Sequence, residues 1–147
     1  MIAIGCDHGG FALKEAVKKH LEEKGIEIKD FGCYSTESVD YAVHAAKVAH
    51  CVAEGEAEYG ILVCSTGIGI SIAANKVKGI RAALCCDTHA AEMTRRHNNA
   101  NILCMGGLVI SEQTGLDIVD TFLSFDFEGG RHQRRVDQIA AIENGEL

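Results

Sequence analysis

The sequence has no proline and no tryptophan, and aromatic residues make up only 5% of it. These shortages carry no functional reading by themselves, but other absences exclude whole classes of protein. No apolar run approaches the ~20 residues needed to cross a bilayer. The opening residues, Met1-Ile2-Ala3-Ile4-Gly5, have no basic stretch ahead of them, and Asp7 soon interrupts the apolar run, so they do not read as a signal peptide. Basic residues are outnumbered, 14 against 21 acidic, for a net charge of −7. That balance argues against broad nucleic-acid or anionic-membrane binding and leaves room only for a local basic pocket. Cys-x-x-Cys pairs and His-x-x-x-His pairs are both missing, so the zinc templates fail.

What is present describes an ordinary globular chain. Its 147 residues are about one domain's worth, expected to span 1–147 without a linker, and long enough to bury roughly two-thirds of the unfolded surface. Apolar residues at 47% and charged residues at 24% exclude disorder. The seven cysteines are an odd number and, with no signal peptide, read as free thiols in a reducing cytoplasm.

One theme repeats along the chain. Short apolar runs at Ile2–Cys6, Ile26–Phe31, Tyr59–Cys64, Ile80–Cys85 and Ile102–Met105 predict strands. Helical spacing is predicted from about Gly10 to Gly25, over Tyr41–Ala53, from Ile68, over Thr88–Asn98, from Ser111 to about Leu123, and after Gly130 to about Glu143. Strands apolar on both faces, alternating with helices, imply a parallel five-stranded sheet covered on both sides, a Rossmann-like or flavodoxin-like α/β sandwich. Ligands of such sheets bind at the carboxyl ends of the strands. Here those ends read Cys6-Asp7-His8-Gly9-Gly10, Cys64-Ser65-Thr66-Gly67-Ile68-Gly69, Cys85-Cys86-Asp87 and Cys104-Met105-Gly106-Gly107.

The Cys64 turn carries the sharpest signal. Gly67 and Gly69 let backbone N–H groups turn toward a ligand at a helix start, and a thiol placed there is favoured as the thiolate, the form that acts as nucleophile or carbon-acid base. Most free cysteines are only small buried hydrophobes, the reading we apply to Cys33, Cys51, Cys86 and Cys104. Three phosphate-binding motifs fail at this turn. Ile72 stands where a dinucleotide fingerprint needs glycine or alanine, no lysine precedes Lys76 for a Walker loop, and Ile70 replaces the arginine of a cysteine-phosphatase loop. Near the C-terminus, Arg131, Arg134 and Arg135 crowd the first turn of a predicted helix, where cations oppose the macrodipole unless an anion binds; Arg131 and Arg135 share a face. Arg96-His97-Asn98-Asn99 closes another helix and is a weak signal alone.

Taken together, Gly5-Cys6-Asp7-His8-Gly9-Gly10, Ser38-Val39-Asp40-Tyr41, the block from Cys64 to Lys76, Gly79-Ile80-Arg81-Ala82, His97-Asn98 and Gly129-Gly130-Arg131-His132 make the chain resemble the ribose-5-phosphate isomerase B family, which also holds galactose-6-phosphate and allose-6-phosphate isomerases. The resemblance covers essentially the whole chain. It implies an aldose–ketose isomerase of sugar phosphates working through a cis-enediolate, without cofactor or metal. It also implies a homodimer, sometimes paired into a tetramer, with sites at the subunit interface and the C-terminal helix used in dimerisation. By that resemblance Cys64 is the base. Backbone N–H groups from Gly67 through Ile68 to Gly69 hold the enediolate oxygen. His97 opens the sugar ring beside Asp7 and Thr66, Asn98 holds a hydroxyl, and His8, Arg131 and Arg135 grip the phosphate. The chain departs from the family pattern in three places. Ser65 replaces a glycine and narrows the space beside the base. Ala42 replaces a proline. Leu108 replaces an arginine that reaches the phosphate of a neighbouring site, which brings in a hexose 6-phosphate as the alternative substrate. A non-catalytic sugar-phosphate sensor is the rival reading, and the intact Cys64, His97 and Asp7 set speaks against it.

Overall fold

The computed structural model describes residues 1–147. Five strands, β1 (Ile2–Cys6), β2 (Ile28–Asp30), β3 (Tyr59–Cys64), β4 (Ala82–Leu84) and β5 (Ile102–Gly106), form one parallel sheet in the order β2-β1-β3-β5-β4. Six helices connect or follow them: α1 (Phe11–Glu23), α2 (Tyr41–Ala53), α3 (Ile68–Ala74), α4 (Thr88–Asn98), α5 (Glu112–Ser124) and α6 (Arg131–Glu143). The expected Rossmann-like sandwich is therefore present. The edge strands are shorter than their apolar runs, three residues each, because their outer edges have no ladder partner. A single 3-10 turn, His8–Gly10, precedes α1 where a helix start is expected. No helix is long and apolar enough to cross a membrane.

Side chains alternate across the central strands, as a period of two demands. Ile2, Ile4, Cys6, Ile61, Val63, Leu103 and Met105 pack with Leu13, Val17 and Leu21 of α1 and Ile118, Val119 and Phe122 of α5. Ala3, Leu62, Cys64, Ile102 and Cys104 face α2 and α3 through Ala45, Val48, Ala49, Ile70 and Ala74. Both faces are dry, which is why the strands read as continuous apolar runs.

A charged group sits inside this frame. Lys14 of α1 is fully buried, and its Nζ donates to both Asp30 carboxylate oxygens at 3.1 and 2.9 Å and to the Cys33 carbonyl at 2.8 Å. It thereby ties the end of β2 to the segment leading toward Val39. Burial alone would raise the Asp30 carboxyl, but hydrogen bonds from Lys14 and the Gly32 N–H outweigh it and hold the group below its usual value. Breaking such a pair strands a charge, so Lys14→Met is expected to destabilise the fold by about 3 kcal/mol in urea unfolding. Because Asp30 titrates lower when folded, its stabilisation is present above the unfolded value of about 4 and is lost as pH falls through the folded one. Asp30→Asn should flatten the acid limb of the stability curve. An acid limb as steep as the wild type's would show that other carboxylates control it.

Candidate active site

The loops after β1, β3 and β5 lie side by side because Cys6 pairs with Val63 and Cys64 with Gly106 in register. Their backbones touch. A Cβ on Gly10 would come within 2.2 Å of the Val63 carbonyl oxygen, so only glycine lets the first loop close onto the third strand. Asp7 is buried, and its Oδ1 accepts the Gly9 and Gly10 N–H groups at 2.9 and 3.1 Å, capping the turn while Oδ2 makes no hydrogen bond within the chain. His8 Nδ1 accepts the Val39 N–H at 3.2 Å, which leaves Nε2 as the proton-bearing nitrogen of the neutral ring.

Cys64 ends β3, almost fully buried, and the Gly67 N–H donates to its Sγ at 3.1 Å. Gly67 has φ +79, the left-handed conformation that turns the chain into α3, and a Cβ there would also meet Leu84 and Met105 at 2.5 and 2.8 Å. Thr66 Oγ1 accepts the Ile68 N–H at 3.2 Å. The Ser65 hydroxyl packs against Gly9, where a Cβ would lie 2.0 Å away. Gly69 lies under the Tyr41 ring, with Cζ 2.7 Å from a Cβ built there. Leu108 donates its N–H to the Ser65 carbonyl at 3.0 Å and is 78% exposed, so the departure from the family pattern stands at the rim of the Cys64 loop.

The other half of the expected site is elsewhere. Helix α4 begins after the carboxyl end of β4 and runs back, so His97 and Asn98 stand at the amino edge, where the Arg81 Nε donates to the Asn98 carbonyl at 3.1 Å. The length of β3 separates that edge from Cys64, about 17 Å at ~3.3 Å per residue. Helix α6 starts at the same edge. His132 stacks on His97 with ring centroids 4.1 Å apart and an interplanar angle of 8°. Arg131 and Arg135 are exposed there, with no acidic residue in the first turn of α6. Within one chain His97 is thus held apart from Asp7 and Thr66, because a helix connecting parallel strands must end at the opposite edge from where it began. None of the chain's surface clefts includes Cys64.

Three residues with no role legible in the sequence belong to these halves. Val39 holds His8 through its backbone, Tyr41 covers Gly69, and Glu128 places Oε1 3.7 Å from His97 Nε2 and 3.6 Å from His132 Nε2. The Arg96 hydrogen bond to Glu128, at 2.8 Å, holds that carboxyl below its usual range. Burial, with His97 and Arg131 nearby, pushes the His132 imidazole down. The remaining thiols divide as expected except one. Burial pushes Cys6 and Cys104 far up and Cys85 up to about 12, so they stay protonated. Cys86 is exposed, not a buried hydrophobe, because it follows the short edge strand β4 into the turn before α4.

The chain matches the ribose/galactose isomerase family over residues 2–139. It is 50% identical over 142 residues to ribose-5-phosphate isomerase B of Escherichia coli K12, covering 97% of this chain and 95% of that protein. A solved ribose-5-phosphate isomerase B from Clostridium thermocellum superposes with a TM-score of 0.97 at 51% identity, covering 99% of both chains. The Mycoplasma genitalium enzyme, solved with bound ribulose 5-phosphate, superposes with a TM-score of 0.93 at 42% identity over 97% of this chain and 95% of that one.

Proposed function

We propose that this chain, which belongs to the ribose/galactose isomerase family and is an isomerase of pentose phosphates, interconverts ribose 5-phosphate and ribulose 5-phosphate through a cis-enediolate with Cys64 as the base. The reaction moves one proton between adjacent carbons, so it needs a base, an oxyanion site, a ring-opening acid–base group and an anchor for phosphate. The observation that carries this reading is the Cys64 loop. Its thiol is held by the Gly67 N–H beside the start of α3, where the Gly69 N–H has no partner within the chain and the Gly67 and Ile68 N–H groups, engaged only by the Cys64 Sγ and Thr66 Oγ1, line the same turn for an enediolate oxygen. Asp7 Oδ2 and Thr66 flank the sugar, and His8, its Nδ1 already engaged, offers Nε2 to an anion. The direct test is turnover of ribose 5-phosphate by the purified protein, with allose 6-phosphate and galactose 6-phosphate alongside.

His97, Asn98, Arg131 and Arg135 complete the site from a second copy of the chain. Two observations favour this. The two halves sit at opposite edges of one sheet, and an apolar strip on α2 and α3 remains uncovered beside the Cys64 loop, with Val43, Ile68 and Ile72 each more than half exposed. The working unit is accordingly a homodimer, and pairing into a tetramer is compatible with it. In that assembly His97 opens the ring and the α6 arginines, which make no ion pair within the chain, hold the phosphate.

Leu108 decides substrate size and affinity. A charge-assisted arginine–phosphate contact is worth roughly 1.5–3 kcal/mol, and at so exposed a position the lower value applies. Leu108→Arg is therefore expected to lower KM for ribose 5-phosphate about tenfold with little change in kcat, and the gain should shrink as salt rises. Unchanged kinetics, with a hexose 6-phosphate the better substrate, would make leucine an adaptation to that larger sugar.

A further inference from the structure

We propose that His97, Glu128 and His132 form a binding site for a divalent transition metal, Zn2+ above all, and that an ion held there stops ring opening. The two Nε2 atoms lie 3.7 and 3.6 Å from the same oxygen, Glu128 Oε1, and all three ligand atoms lie within 4.8 Å of one another. A point equidistant from atoms so spaced falls about 2.2–2.4 Å from each, within a few tenths of an ångström of the usual zinc distances to imidazole nitrogen and carboxylate oxygen. The rings are stacked, so the in-plane lone pairs of the two nitrogens run side by side, and the one-third-exposed His97 ring must turn out of the stack to bring both onto one ion.

The donor set decides the ion. Two imidazoles and one carboxylate suit borderline transition metals, whereas Mg2+ and Ca2+ take oxygen ligands. Glu128 is held in place, its Oε2 accepting from Arg96 Nε at 2.8 Å and its N–H donating to the Arg96 carbonyl at 3.0 Å. Such outer contacts orient a metal ligand. His97 and Glu128 are about one-third exposed, which gives an ion an approach and leaves a fourth position to water. The guanidinium of Arg96 weakens attraction for a cation, so binding should be reversible by a chelator.

The inhibitory consequence rests on the ring-opening role proposed for His97 above. An imidazole nitrogen that gives its lone pair to zinc can no longer take up or release a proton, and the ring can no longer turn toward the sugar. The metal site and its consequence are therefore tested by different readouts. Protein stripped with EDTA and desalted is titrated calorimetrically with ZnCl2, with MgCl2 as control. Wild type is compared with His132→Gln, Glu128→Gln and Cys86→Ser, the last removing the exposed thiol that competes for zinc.

We expect one Zn2+ per chain, no response to Mg2+, at least about tenfold weaker binding in both cluster variants, and no change in Cys86→Ser. Co2+ in place of Zn2+ should give ligand-field bands without a thiolate charge-transfer band. Unchanged zinc affinity in folded His132→Gln and Glu128→Gln, or a thiolate band with Co2+, overturns the site. If His132→Gln does not fold, Glu128→Gln alters a partly exposed carboxylate and carries the test. Zinc should inhibit turnover at the concentration that half-fills the site, with EDTA restoring it. Zinc bound by the cluster without inhibition keeps the site and overturns the ring-opening role of His97.

Discussion

Cys64→Ala is expected to lower turnover of ribose 5-phosphate by about 10³-fold or more while leaving binding of the sugar phosphate nearly intact. General-base catalysis contributes of the order of 10²–10⁴, and removing the base proposed for the reacting carbon forfeits that contribution. The phosphate contacts proposed for His8, Arg131 and Arg135 lie away from the thiol and are untouched, so kcat should fall and KM should not. Alkylation with iodoacetamide should inactivate the wild type, with ribose 5-phosphate protecting it. Cys86, the exposed thiol, will also be alkylated, so protection is best read in Cys86→Ser. A Cys64→Ala enzyme that keeps more than a few per cent of wild-type turnover would remove Cys64 from the role of base.

His97→Asn should slow the ring-forming aldose by about 10²-fold and the open-chain ketose ribulose 5-phosphate much less, since only the cyclic form needs opening before its carbon proton becomes acidic. The comparison is of kcat at saturating substrate, since the ratio of kcat/KM in the two directions is fixed by the equilibrium constant, and equal losses of kcat in both directions would mean a structural role. The same variant tests assembly. Cys64 and His97 stand at opposite edges of one sheet, so a shared site draws them from different chains. Mixing inactive Cys64→Ala with inactive His97→Asn should then restore activity once subunits exchange, because a heterodimer contains one site with both wild-type residues. No recovery in a mixture shown by mass to contain heterodimers would place both residues in the same site of one chain, and a fully active monomer on a sizing column would remove the shared site altogether.

Much of this was legible in the residues. The Cys64–Lys76 block and the Asp7-His8-Gly9-Gly10 turn point to the family without any coordinates, and the helices Tyr41–Ala53 and Thr88–Asn98 are found where their spacing puts them. Short-range chemistry explains this. A left-handed turn requires glycine at Gly67, and a helix buries residues at three- and four-residue spacing, so the signal is local. Glu128, His132 and His97 were not legible as a unit. His132 lies 35 positions after His97 in a chain whose metal-like spacings all fail, and only the packing of α6 onto the end of α4 stacks the two rings.

The sequence by itself determined that this is a parallel α/β sandwich, that a thiol stands at a glycine turn at the end of a strand, and that the family is one of sugar-phosphate isomerases. Those properties depend on periodicity, turn chemistry and motif order, all of which are written along the chain. The tertiary structure alone decided the strand order β2-β1-β3-β5-β4, the burial of Lys14 against Asp30, and the division of the candidate site residues between two edges. Each of these depends on which residues distant in sequence become neighbours. A helix that returns across a sheet carries its last turn to the edge opposite the loop that launched it, so His97 faces away from Cys64 however close the family resemblance makes their roles.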